Sequence, residues 1–138
     1  MFGRNPVKST NDQSIRNVGR MMQPIVFEGA SSVGGFTDID ACYDVKGKAV
    51  VFIEVKRAGN DITTGQKILF ERLVRWISKP CYCMTVWHSA EDDENIMLAD
   101  CEVKEIRMKD SSGKAIIKTS KKHTVADIIS YIEKKHGA

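Results

Sequence analysis

The sequence predicts a mixed α/β domain in which helices flank a central, mixed β-sheet, and three observations carry that prediction. Hydrophobic periodicity changes along the chain in the order helix, strands, helix, strand, hairpin, helix. The run Ala49-Val50-Val51-Phe52-Ile53 is apolar without alternation, as expected of a strand covered on both faces in the middle of a sheet. The chain has 138 residues, 42% of them hydrophobic, which suits one globular domain able to fold without disulfide or metal staples. We therefore read residues 1–138 as a single domain, with 1–10 a flexible lead-in broken by Gly3 and Pro6.

Each element has its own signal. Ile15, Val18, Met21 and Met22 suggest a short amphipathic helix over Asn11 to Met22, ended by Pro24. Ile25 to Phe27 begins a strand, and Gly29 to Gly35 is a loop. From Phe36 to Val45, Thr37, Ile39, Ala41 and Tyr43 alternate with Asp38, Asp40, Cys42 and Asp44, a strand of period two. A three-residue loop, Val45-Lys46-Gly47, with Gly47 left-handed, then sets Asp44 opposite Lys48. The apolar strand that follows ends in Glu54-Val55-Lys56-Arg57, where charge interrupts a buried run.

Thr63 or Thr64 caps a helix reaching about Ile77, with a stripe of Ile68, Leu69, Phe70, Leu73, Val74, Trp76 and Ile77. Glu71 and Arg75 pair on its outer side. Tyr82 to Trp87 is a strand with Met84, Val86 and His88 on one face and Cys83, Thr85 and Trp87 on the other. Ala90 to Asn95 is an acidic loop, Ile96 to Met108 reads mostly as strand, and Ser111-Ser112-Gly113 turns the chain into Ala115 to Thr119. Thr124 caps a last helix whose Val125, Ile128, Ile129 and Ile132 face the core or an interface. Trp76 and Trp87 are assigned to the core, the alternative being platforms on which bases stack.

Charge and cysteine usage narrow the function classes. Lys plus Arg number 21 and Asp plus Glu 18, so the net charge is +3, too mild to announce nucleic acid by itself. Basic clusters at Lys46/Lys48, Lys56/Arg57, Arg72/Arg75/Lys79, Lys118/Lys121/Lys122 and Lys134/Lys135 stand against the acidic run Glu91 to Glu94. If those clusters share a face, the molecule has the positive side of a polyanion binder; otherwise they are solvated surface charge. No apolar run reaches the ~20 residues of a membrane span, and the N-terminal region lacks a secretory signal, so the expected location is cytoplasmic. Cys42, Cys81, Cys83 and Cys101 are then reduced thiols. Cys81 and Cys83, with His88, offer a metal set of unusual spacing, or the two thiols simply share one strand face.

In the predicted hairpin register Asp38 lies opposite Glu54, Asp40 opposite Phe52 and Phe36 opposite Lys56, so Asp38, Asp40, Glu54 and Lys56 point the same way. Two carboxylates in a partly dry cleft repel, and a divalent cation removes that cost. Hard oxygen ligands suit Mg²⁺, and a neighbouring ammonium can orient a water or neutralise charge developing on a phosphate.

Gly35-Phe36-Thr37-Asp38, a hairpin, Glu54-Val55-Lys56 and then Gln66 in the next helix resemble the PD-(D/E)XK nuclease superfamily, nearest its small Holliday-junction-resolvase-like and virus-type replication-repair members. The likeness covers residues 28–77 and departs at Thr37, where proline is frequent. It implies a restriction-endonuclease-like core and a Mg²⁺- or Mn²⁺-dependent deoxyribonuclease. Asp38 and Glu54 would hold the metal, the Val55 carbonyl would join them, and Lys56 would be the catalytic lysine, with Gln66 beside the site. Glu28 is either a further ligand or a loop residue, and Asp40 either a ligand or a solvated neighbour. Arg57, Lys67, Lys46 and Lys48 are the candidates for contact with DNA. A domain this small favours shape recognition of branched, flapped or nicked DNA over sequence reading, and a homodimer would offer two sites to two strands. The alternatives are an inactive nuclease-fold module that binds nucleic acid or protein, and a structural domain presenting Glu91 to Glu94 to a partner.

Overall fold

The computed structural model describes residues 37–119 and 122–138. The expected helix at Asn11 to Met22, the strand at Ile25, Glu28 and Phe36 lie outside them. The elements are β1 (Ala41–Asp44), β2 (Val50–Arg57), α1 (Thr64–Trp76), β3 (Cys81–His88), a 3₁₀ turn (Leu98–Asp100), β4 (Glu102–Lys109), β5 (Ala115–Thr119) and α2 (Val125–Lys135). The strands form one mixed sheet in the order β1-β2-β3-β4-β5, with β2 and β3 parallel and the other neighbours antiparallel. The α/β class with helices on a central sheet therefore stands.

β2 and β3 are interior strands because their side chains can be buried on both faces, and β3 is buried from Cys81 to Val86. On one face Val51, Ile53, Met84, Val86, Val103 and Ile106 pack with Val125 and Ile132 of α2. On the other, Cys81 and Cys83 pack with Phe70 and Val74 of α1, joined by half-buried Val50 and Phe52. Both helices start at capping boxes. Thr63 accepts from Gln66 N while Gln66 accepts from Thr63 N, and Thr124 and Asp127 do the same. No helix of the described residues is long and apolar enough to cross a membrane.

Four sequence expectations need correction. The hairpin pairs Asp44 with Val50, not Lys48, and the register is shifted by two residues. Lys46 (φ 51°) and Gly47 (φ 73°) are both left-handed and Lys48 N donates to Val45 O, so the tight turn lies within a longer loop. The paired part of the first strand begins only at Ala41, not at Phe36. Ile96 to Met108 is not one strand: a 3₁₀ turn precedes β4, with Cys101 N bonded to Leu98 O. Trp76 is not in the core; it is 67% exposed, on the outer side of α1.

Candidate active site

The site is built where β2 outruns its partner. β1 hydrogen-bonds as far as Ala41 opposite Ile53, and at the next rung the Asp40 side chain replaces a ladder partner, its Oδ2 accepting from Val55 N at 2.7 Å. An N–H and C=O of one strand residue project to the same side, so the Val55 carbonyl also faces this edge. The two-residue register shift leaves side-chain parity within β1 unchanged; Asp38 and Asp40 precede the paired strand, while Glu54 and Lys56 share the face of β2 toward α1.

Glu54 is the centre of the arrangement. It is 4% exposed, and its Oε2 accepts from Gln66 Nε2 at 2.7 Å and lies 3.7 Å from Lys56 Nζ. Its Oε1 is buried with no partner among the described residues. Burial pushes the Glu54 carboxyl up to about 6, and the Asp40 charge adds to the rise. The Gln66 bond and the Lys56 charge pull it back, and Asp38 adds a smaller upward push. Asp40 thus acts on Glu54 more strongly than Asp38 does, the reverse of the expected priority. Asp38 is exposed and precedes the paired strand.

Gln66 reaches Glu54 because the capping box fixes the first turn of α1 above the end of β2. Both ends of its amide are engaged: Oε1 accepts from Thr63 N at 2.9 Å while Nε2 donates to Glu54. The stripe expected to run from Gln66 through Phe70 to Leu73 and Ile77 does face inward.

One polar neighbour escaped the sequence reading. Thr85 pairs with Glu54 across the parallel β2–β3 ladder, is fully buried, and its hydroxyl also lacks a partner among the described residues. Alternation puts Thr85 on the correct face, but only the β2–β3 register sets it beside Glu54. Glu105 follows in the same row, opposite Thr85, and bonds to buried Arg107 at 3.1 Å. A bulge then leaves Lys104 unpaired in the ladder; its Nζ lies 5.0 Å from the Trp87 ring centre and 3.7 Å from Asp61.

No family model, curated protein or solved structure matches the chain. The site's chemistry therefore rests on its own residues. Among the described residues no group of three or more His, Cys, Asp or Glu side chains is arranged to hold a metal ion. Glu54 and Asp40 nevertheless fit the smaller demand of Mg²⁺, which takes one or two protein carboxylates and fills its other positions with water or phosphate oxygens. The orphaned Glu54 Oε1 is the atom that such an ion would satisfy.

The four expected DNA-contacting side chains are not brought together. Arg57 pairs with Asp92 at 3.1 Å and Lys67 with Asp61 at 2.9 Å, both near the carboxylates. Lys46 and Lys48 lie at the opposite, hairpin end of β2, where Lys48 Nζ donates to Gly137 O at 2.8 Å. Cys81 and Cys83 share one face of β3, whereas His88 falls on the other and its Nδ1 accepts from Ala90 N. That separation removes the Cys81/Cys83/His88 metal set. A cavity of about 310 Å³ opens beside His88, Met97 and Glu102, away from Glu54.

Proposed function

We propose that this chain is a Mg²⁺- or Mn²⁺-dependent DNA endonuclease of the PD-(D/E)XK kind, acting on branched, flapped or nicked DNA as a homodimer. The observation that supports it most is a 4%-exposed glutamate with one unsatisfied oxygen beside a second carboxylate and an ammonium, at the rim of a sheet. Burying such a carboxylate costs several kcal/mol unless a cation compensates it, so a purely structural role is a poor use of the position.

In this reading Glu54 Oε1 and the Asp40 carboxylate, with Asp38 at the rim and the Val55 carbonyl beside them, hold the ion. The bound ion supplies Lewis acidity and a water of lowered pKa. Gln66 fixes the Glu54 carboxylate so that Oε1, not Oε2, is presented. Lys56 Nζ, 3.7 Å from Glu54 Oε2, orients a water and neutralises charge developing on the scissile phosphate.

The alternative is an inactive nuclease-fold module that binds nucleic acid or protein. One experiment separates the two. Labelled linear, nicked, flapped and four-way DNA is incubated with the protein, with and without Mn²⁺. The nuclease reading expects metal-dependent cleavage that Lys56→Ala abolishes while DNA binding survives, and that Glu54→Ala abolishes together with calorimetric Mn²⁺ binding. Cleavage unchanged in both variants, or no Mn²⁺ binding to the wild-type chain, would sink it.

A further inference from the structure

The hairpin end of the sheet carries a feature that the nuclease reading does not use. A cavity of about 270 Å³ lies between the end of α1, the start of β3 and the β4–β5 turn. Lys79, Lys109, Lys135 and His136 line it, over a floor that includes Cys81 and Tyr82. Among the described residues, none of the three lysines has a carboxylate within ion-pair distance. Asp110, the acid in the wall, is occupied by its own turn, accepting from Ser112 N, Ser112 Oγ and Lys114 N. The basin is therefore positive. The hydrogen bond with Cys83 lowers the Cys81 thiol pKa, burial works against that, and the Lys109 ammonium adds a smaller lowering.

Beside the basin stands Trp76, 67% exposed. It ends α1 and precedes Lys79 by three residues, and the carbonyl of its neighbour Ile77 accepts at 3.4 Å from Nζ of Lys109, which lines the basin. Arg72 adds positive charge on the exposed side of α1, where Arg75 is paired with Glu71 at 3.6 Å. A phosphate needs the ammonium groups, whereas the bare indole face needs a flat apolar partner. An unpaired nucleotide supplies both; a duplex hides its base faces, and a lipid headgroup has none.

We propose that this end of the molecule is a nucleic-acid contact separate from the carboxylate site: the basin holds a backbone phosphate of an unpaired strand, and Trp76 stacks one of its bases. The contact does not depend on the chain being a nuclease.

The test is fluorescence anisotropy of a labelled oligothymidylate of about 12 nucleotides with the full chain, in chelator so that no cleavage intervenes. Lys79→Glu combined with Lys135→Glu is expected to weaken binding at least roughly tenfold and to reduce the slope of log affinity against log salt by about 0.7, the value of one phosphate contact on a single strand. Trp76→Ala should weaken it roughly tenfold, and Glu54→Gln should leave it unchanged. Lys79→Glu alone, in a loop outside both helices, guards against a folding defect at the end of α2. Wild-type affinity in both the lysine and Trp76 variants would overturn the proposal. So would equal binding of a matched duplex, or anionic phospholipid vesicles bound with the same residue dependence and no oligonucleotide binding. No cleavage by the wild-type chain with Mn²⁺, with this binding intact, would count against the nuclease reading alone.

Discussion

Gln66 donates to Glu54 at 2.7 Å with the same amide whose oxygen closes the capping box of α1. One side chain therefore ties the start of a helix to the ionisable centre of the candidate site. Gln66→Ala removes a buried bond to a charged acceptor and one half of a cap, and should cost about 2–3 kcal/mol in urea denaturation at pH 7. The Glu54 carboxyl should rise further, since the bond it loses was lowering it. Carbon-13 titration of the glutamate carboxyls reads that shift.

The raised Glu54 carboxyl makes stability depend on pH. Its folded value of about 6 lies above the ordinary 4.5, so the folded state holds the proton more tightly. The contribution is present in full below pH 4.5 and is lost as pH rises through 6. The span corresponds to about 2 kcal/mol. Chemical denaturation in chelator between those limits should show this decline, and Glu54→Gln should flatten it.

Thr85 offers a test of the orphaned row. Replacing a buried hydroxyl that has no partner by a methyl of the same shape should be neutral or stabilise by up to about 1 kcal/mol. Thr85→Val is therefore expected to hold or raise the melting temperature. A loss above ~1 kcal/mol would mean that the hydroxyl serves Glu54 through an internal water.

Two ion pairs of similar appearance should behave differently. Arg107 is 7% exposed, and Glu105→Ala leaves its guanidinium buried and alone, at a cost of about 3 kcal/mol. Glu71→Ala breaks the exposed pair with Arg75 on α1 and should cost about 0.5 kcal/mol or less. Paired denaturation curves compare them directly.

Much of this architecture was legible in the residues. The unalternating run at Ala49 to Ile53 did mark an interior strand, and Thr63 and Thr124 did start both described helices. The hairpin register was misread because Gly47 alone was assigned a left-handed conformation, whereas Lys46 adopts one too and moves the paired rungs by two residues. An even shift preserves which β1 side chains share a face with Glu54 and Lys56, whereas a shift of one would have exchanged them. Trp76 was misplaced for a different reason. Periodicity counts apolar residues as inward, but α1 buries only the narrower line through Gln66, Phe70 and Val74. The Glu54–Thr85 neighbourhood was out of reach because a parallel ladder joins segments whose register no turn specifies.

The eight residues of β2 have a further consequence. At ~3.3 Å each they hold Glu54 and Lys56 toward one tip and Lys48 and the basin toward the other, with tips about 23 Å apart. Electrolyte at physiological strength damps charge over about 8 Å. The two tips are thus electrically deaf to each other, and a charge reversal at one can be combined with a neutralisation at the other with each effect read independently.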